Sequence, residues 1–289
     1  MSTVLHLGGF ERVAPGCQRA VVPSPWPPRA VAVFLLESDG EWLVDTGAST
    51  LESIGAVRSA LDSVLGPRGV PRGLILTHSH LDHAGGVEAL RPVTVVAHRD
   101  AAAAFRADEW TPEDISFREV EGSADSLPDV GGWEWMLGEG HAPGHLLLWQ
   151  PESGTVLVGD QFLLGLKTPL RTADETEDSF GRYLATIDRV AAVEPRIMFS
   201  SHTEPIVEPL KWLAHERRRL ERQLGRTRNA VRAGARTAEE VTAAAYRSIP
   251  GAGARELLAR EQLAALRHLA FQDAIKRRVT DGLEIFEAP

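Results

Sequence analysis

Residues 77–86, THSHLDHAGG, place His78, His80, Asp82 and His83 within six positions. They follow the apolar run GLIL (73–76), so they sit where a short buried strand gives way to a loop. At His-x-His spacing, His78 and His80 can turn both imidazoles into one cleft and share a metal ion, while Asp82 and His83 face a neighbouring position. Imidazole and carboxylate donors suit Zn²⁺, and also Fe or Mn; no thiolate stands in the cluster. Gly85 and Gly86 let a helix begin tight against such a site. The bland alternative is a polar loop with incidental histidines, which crowds ring nitrogens together to no purpose.

These side chains need a scaffold, and the first two hundred residues alternate strand-like and helix-like patterns. VAVFLLE (31–37) and EWLVD (41–45) flank SDG and read as a hairpin. GAST offers caps for a helix over about 50–65, which GPRG closes. GLILT (73–77) and VTVVAH (93–98) read as buried strands on either side of a helix at GGVEALR. HLLLWQ (145–150), the turn PESG and TVLVGD (155–160) make a second hairpin. DSFGRYLATIDRVAAV (178–193) has helical spacing, and RIMFSSH (196–202) is a strand running into a loop. The turn-rich middle, 107–140, has no clean period, and the Pro-rich PSPWPP (23–28) reads as a rigid surface loop.

From about residue 208 the character changes. EPLKWLAHERRRLERQLGRTRNAVRAG predicts one long Arg-rich amphipathic helix with Leu210, Leu213, Leu220 and Leu224 on its apolar side. TAEEVTAAAYR (237–247) predicts a second helix, with Thr237 and Glu240 at capping-box spacing. GARELLAREQLAALRHLAF predicts a third, and AIKRRV and LEIFEA two short strands around a DG turn. The expected organisation is therefore an α/β domain over 1–207 and a small C-terminal helical, winged-helix-like domain over 208–289.

THSHLDHAGG resembles the metal-binding signature of the metallo-β-lactamase-fold superfamily. The resemblance implies an αββα sandwich with further ligands at later strand ends, in a set order. GHAPGH (140–145) then supplies His141, VLVGD supplies Asp160, and SSHTEP supplies His202, the last in a loop that departs from the family's glycine-flanked pattern. LVDTG (43–47) also matches, which implies that Asp45 lies below the metals and hydrogen-bonds a ligand. Read from the residues alone, Asp45 at a strand end can also cap the helix that follows. His145 is expected to support the site or open a strand rather than ligate. His6, His98, His215, His268 and Cys17 have no motif context.

Carried over residue by residue, the resemblance implies that His78, His80 and His141 hold one metal and Asp82, His83 and His202 the other, with Asp160 bridging. Two zinc ions per chain are expected, with Fe or Mn as alternatives. Such a pair lowers the pKa of a shared water to give hydroxide near neutral pH, which attacks a carbonyl carbon or a phosphorus. Asp82, placed to orient that water, is the candidate catalytic residue. The tail resembles the C-terminal extension of the β-lactamase-like protein 2 branch, which includes an endoribonuclease and thioesterases that release acyl chains from carrier proteins. Every candidate ligand lies at or before His202, so the tail is expected to affect stability or substrate access rather than metal retention.

Composition narrows the choice. With 43% hydrophobic and 25% charged residues, the 289-residue chain falls in the ordinary globular range. No apolar run is long enough to span a membrane, and the N-terminus has no secretory pattern. The single cysteine fits a reducing compartment, so a cytoplasmic protein is expected. GxSxG, P-loop and GxGxxG patterns are absent, which disfavours a serine hydrolase and nucleotide cofactors. Residues 205–289 carry 16 Lys+Arg against 11 Asp+Glu, whereas the preceding 204 balance at −14. An acidic body repels a polyanion. The sequence therefore favours a hydrolase of a small-molecule ester, thioester or lactone, with a metal-dependent endoribonuclease and a non-catalytic metal- or DNA-binding protein as the competing readings. Nucleic acid is the less favoured partner, no membrane partner is expected, and a homo-oligomer is compatible with the chain. Lys167, Arg171 and Arg182 are candidates for holding an anionic substrate group, although solvated surface charge is the commoner use of such residues.

Overall fold

The stretch AVAVFLLES is apolar almost without a break because the strand it forms is covered on both faces. In the computed structural model, which describes residues 5–67, 69–90, 94–108, 115–246 and 251–289, this strand is β3 of a seven-stranded sheet. The sheet runs in chain order: β1 (Gly8–Ala14), β2 (Cys17–Pro23), β3 (Ala30–Ser38), β4 (Gly40–Val44), β5 (Gly73–Ile75), β6 (Thr94–His98) and β7 (Phe117–Val120). Pairing is antiparallel from β1 to β4 and parallel from β4 to β7. A second sheet has the order β12–β11–β10–β9–β8, from β8 (Ala124–Ser126), β9 (Glu134–Gly138), β10 (His145–Gln150), β11 (Thr155–Gly159) and β12 (Ile197–Ser200).

Alternate residues of β3 serve two different cores. Ala32, Phe34 and Leu36 pack with Trp135, Leu146, Leu148 and Leu157 of the second sheet. Val31, Val33 and Leu35 pack with Val57 and Leu61 of α1 (Leu51–Leu65) and, beyond the four-residue α2 (Leu81–Ala84), with Phe105 of α3 (Arg99–Ala107). The result is sheet on sheet, with helices on the outer face of the first sheet. Thr50 caps α1 by accepting from the Ser53 N–H at 3.2 Å, as GAST suggested.

Two features differ from the sequence reading. Strands β7, β8 and β9 arise in the middle stretch that showed no clean period, and β1 and β2 where no element was assigned; residues 109–114 of the middle stretch lie outside the described residues. The helix expected at GGVEALR begins earlier, at Leu81, and gives way after Ala84 to turns and a 3₁₀ segment at Glu88–Leu90. Arg91 lies outside the described residues. The reason is a close backbone approach: the Gly86 N–H donates to Thr46 Oγ1 at 3.0 Å, and a Cβ on Gly86 would stand 2.4 Å from the Thr46 carbonyl oxygen.

The chain divides into two compact units, one of Met1–Gly138, Ala142–Thr168 and Glu194–Pro209, the other of Glu139–His141, Pro169–Val193 and Leu210–Pro289. The second unit holds α4 (Ser179–Ala192), most of α5 (Pro209–Arg232), α6 (Ala238–Ala245), α7 (Gly251–Phe271) and the hairpin β13 (Lys276–Thr280)–β14 (Leu283–Glu287). Val241, Leu266, Ile275 and Phe286 form its core. Thr237 caps α6, while the Glu240 carboxylate accepts from the Arg236 N–H, one residue upstream of the reciprocal partner in a capping box. Arg247, expected to end that helix, lies outside the described residues. Asp281 and Gly282 both have positive φ, the backbone a two-residue hairpin turn requires. Of the leucines expected on the apolar side of α5, Leu213 and Leu220 are buried, but Leu210 is 46% exposed because it stands in the first turn.

Candidate metal centre

Four strands of the first unit end at one edge and hand over their next residues as polar side chains. Asp45 follows β4, the 77–83 motif follows β5, Asp160 follows β11, and His202 lies two residues past β12. His141 lies on the three-residue segment Glu139–His141, which the chain bounds with Gly138 and Ala142 of the first unit. Two groups of ligand-grade atoms result. His78, His80, His141 and Asp160 offer atoms that all lie within 4.8 Å of one another, and so do Asp82, His83 and His202. Asp160 also faces the second group, its two oxygens standing 3.3 Å from His83 Nε2 and 3.3 Å from His202 Nε2.

Hydrogen bonds decide which ring nitrogens are available. Carbonyl oxygens only accept, so His202 Nδ1 donates to Ala30 O at 2.8 Å and His141 Nδ1 to Pro169 O at 2.9 Å. Asp45 is 1% exposed and accepts from His83 Nδ1 at 2.8 Å, from the Thr77 N–H at 2.8 Å and from Thr77 Oγ1 at 2.8 Å. Having given its proton to Asp45, the Thr77 hydroxyl accepts from His78 Nδ1 at 3.0 Å. Four histidines are thereby anchored through Nδ1, leaving each Nε2 to the cluster, which is how metal-ligating histidines are held. His145 opens β10, stacks on His78 with ring centres 4.6 Å apart, and accepts from the Asp160 N–H at 3.3 Å.

The donor set fits a cation. His83 Nε2 is buried without a hydrogen-bond partner, and it and His202 Nε2 point at carboxylate oxygens, an arrangement that repels unless a proton or metal ion lies between. Without a metal, protons take that place. Burial lowers both ring pKa values, but Asp160 and Asp82 outweigh it, with Asp45 adding to the pull on His83. His83 is held well above the ordinary histidine range and His202 at about 10. Conversely, burial raises the two carboxyls while His83 and His202 overcome it, taking Asp82 down to about 2 and Asp160 well below the usual range. His78 Nε2 and His80 Nδ1 stand 3.0 Å apart. Two nitrogens bound to one tetrahedral zinc are separated by about 3.3 Å, so the His-x-His pair needs little adjustment to share an ion.

The sequence of residues 26–202 matches the family model of the metallo-beta-lactamase superfamily. The chain belongs to the metallo-β-lactamase superfamily. Among its relatives in the superfamily, a protein named probable metallo-hydrolase YqjP of Bacillus subtilis is 24% identical over 251 residues, 73% of this chain and 78% of the relative. A hydroxyacylglutathione hydrolase of Cereibacter sphaeroides is 36% identical over 92 residues, 31% of this chain and 33% of that protein. The crystal structure of a metallo-beta-lactamase family protein from Thermus thermophilus superposes with a TM-score of 0.76 at 22% identity, covering 96% of this chain and 100% of the other. The αββα fold expected from the motif is thus the fold of this superfamily member, and its His/Asp cluster suits a divalent metal.

All seven residues singled out as ligands lie in the two groups. Thr77, by contrast, was passed over; its signal was a hydroxyl between the buried strand and His78, a position where burial demands a partner. Arg171 and Arg182, considered for anion binding, are engaged by Glu177 at 2.7 Å and by Glu139 at 3.1 Å respectively. Among the described residues, no helix is long and apolar enough to cross a membrane.

Proposed function

We propose that this superfamily member is a dinuclear zinc-dependent hydrolase of a small-molecule thioester, ester or lactone. The observation that carries the reading is the anchoring of His78, His83, His141 and His202 through Nδ1, which turns each Nε2 towards a cluster that also holds Asp82 and Asp160. His78, His80 and His141 would hold one ion and Asp82, His83 and His202 the other, with Asp160 shared between the two groups. The ions, when bound, supply an activated water and polarise the substrate oxygen. Asp82, with 19% of its side chain exposed, is the carboxylate of the set open to an incoming water, which it would orient as an acceptor. Asp45 and Thr77 keep the ligand rings from turning.

The substrate class rests on two supports. The hydroxyacylglutathione hydrolases that match 31% of this chain are named for an acyl group carried on a thiol. The other support is charge: the 204 residues that contain every proposed ligand balance at −14, and in the C-terminal region Arg219 pairs with Glu216 and Glu261, Arg236 with Glu287, Arg260 with Glu256 and Arg267 with Glu284. An acidic body repels a polyanion, which weakens the endoribonuclease reading. The same proposal places the protein in the β-lactamase-like protein 2 branch and in the cytoplasm, with catalysis in 1–207 and a winged-helix-like domain in 208–289. The test is metal analysis of the purified protein followed by a panel of thioesters, esters, lactones and single-stranded RNA. Two zinc equivalents and chelator-sensitive acyl hydrolysis are expected; RNA cleavage lost in Asp82→Asn, with every acyl substrate inert, refutes the substrate class.

A further inference from the structure

A hydrogen-bonded strap links the ring of His141 to the C-terminal part of α7. His141 Nδ1 donates to Pro169 O at 2.9 Å, and the Arg171 N–H donates back to Gly140 O at 2.8 Å, so 169–171 and 140–141 form two rungs. The strap runs on to Thr172 and Asp174, whose carbonyls both accept from Arg267 Nη1, at 2.8 and 3.2 Å. Arg267 is only 6% exposed. Its Nε faces the carboxylate of Glu284 on β14 at 3.0 and 3.1 Å, and Arg277 grips the same carboxylate at 2.5 Å. Residues 169–178 form no helix or strand of their own, so no regular ladder fixes their carbonyls, and Arg267 supplies donors to two of them. The turn bearing His141 has no slack: Gly140 has φ 111°, and a Cβ there would stand 2.7 Å from Tyr183 Cβ and 2.8 Å from Ser179 O.

We propose that Arg267 is a positioning residue for His141, acting through the strap 169–174; this rests on His141 being a metal ligand. The rigid guanidinium fork grips a carboxylate and two main-chain carbonyls at once, which a lysine cannot do. Removing it frees Thr172 O, leaves Asp174 O only the Glu177 N–H at 3.4 Å, and so loosens the lie of Pro169 O. The His141 ring then loses the partner that keeps its proton on Nδ1, and a ring protonated on Nε2 offers the site no lone pair. The C-terminal region thus shares in holding a metal, against the expectation that its role is confined to stability or access.

The experiment uses the full chain as Arg267→Gln, Arg267→Lys, Glu284→Gln and, as a control on the same helix, Arg260→Gln. Zinc is titrated against a chromophoric chelator, and the imidazole ¹H–¹⁵N correlation of His141 is recorded in metal-free protein. One of two zinc equivalents is expected to weaken about 10- to 100-fold in both Arg267 variants, the other staying unchanged, with a smaller effect of the same kind in Glu284→Gln. Arg260→Gln should match the parent. His141 should carry its proton on Nδ1 in the parent and lose that preference in Arg267→Gln. Unchanged zinc affinities, or equal weakening of both equivalents, with His141 still protonated on Nδ1, overturn the proposal. If the Arg267 variants do not fold, Glu284→Gln decides by the same two readouts. A parent that binds no zinc sinks the metal reading, while the His141 tautomer still decides whether Arg267 orients the ring.

Discussion

Replacing Asp45 by asparagine is the sharpest perturbation of this centre, because one buried carboxylate orients ligands of both groups. It holds His83 directly and His78 through Thr77. Asparagine keeps the shape and one acceptor oxygen, but its amide NH₂ must face either the Thr77 or the His83 donor, so at least one buried N–H or O–H loses its acceptor. A hydrogen bond to a charged group contributes about 1.5–3 kcal/mol. With the further loss of the negative charge beside His83, the metal-free protein should be destabilised by about 2–4 kcal/mol. The larger consequence concerns metal. With no acceptor at Nδ1, His83 can move its proton to Nε2, and losing such a partner costs about 10- to 100-fold in affinity. Urea unfolding of chelator-stripped protein reads the first effect and zinc competition the second. Both zinc equivalents should weaken. A variant that folds with parental stability and binds both equivalents as the parent does would refute the role given to Asp45.

Asp82→Asn should retain the zinc held by His78, His80 and His141 while turnover falls about 10²- to 10⁴-fold, measured as kcat on the best acyl substrate; a parental rate would place the chemistry elsewhere. Exhaustive chelation should abolish hydrolysis and added zinc restore it, and activity surviving chelation would exclude a metal hydrolase. The chelator-stripped protein should also show a defined pH profile. His202, raised from 6.5 to about 10, contributes stability that is full below pH 6.5 and lost as pH rises through about 10. Asp82, lowered from 3.8 to about 2, contributes stability that is present above pH 3.8 and lost as pH falls through about 2. Thermal midpoints should therefore be highest between pH 3.8 and 6.5 and decline towards pH 10; a flat profile from 6.5 to 10 would contradict the charge arrangement.

How much of this was legible beforehand depends on the range of the interactions involved. The hairpin at VAVFLLE–EWLVD, the cap at Thr50 and the turn at Asp281–Gly282 are local: a few neighbouring residues carry enough preference to settle each. The dense THSHLDHAGG motif is local too, and it pointed to the His/Asp cluster and, by its resemblance, to the order of its remaining members. Strands β7, β8 and β9 were illegible because they are short and set among turns, and β7 and β8 are largely exposed, so no alternating apolar pattern marks them. The helix expected at GGVEALR failed for a similar reason: the pattern is helical, but Gly86 is pressed on Thr46, forty residues away. What the sequence could not contain is the pairing of donor with acceptor. That Thr77 passes the hold of Asp45 on to His78, that His202 is anchored by the carbonyl of Ala30, and that Arg267 ties down the strap beside His141 all join residues 32 to 172 positions apart. Residue type decides which atoms can bind a metal; only folding, by bringing distant donors against distant acceptors, decides which nitrogen of each ring faces the cluster.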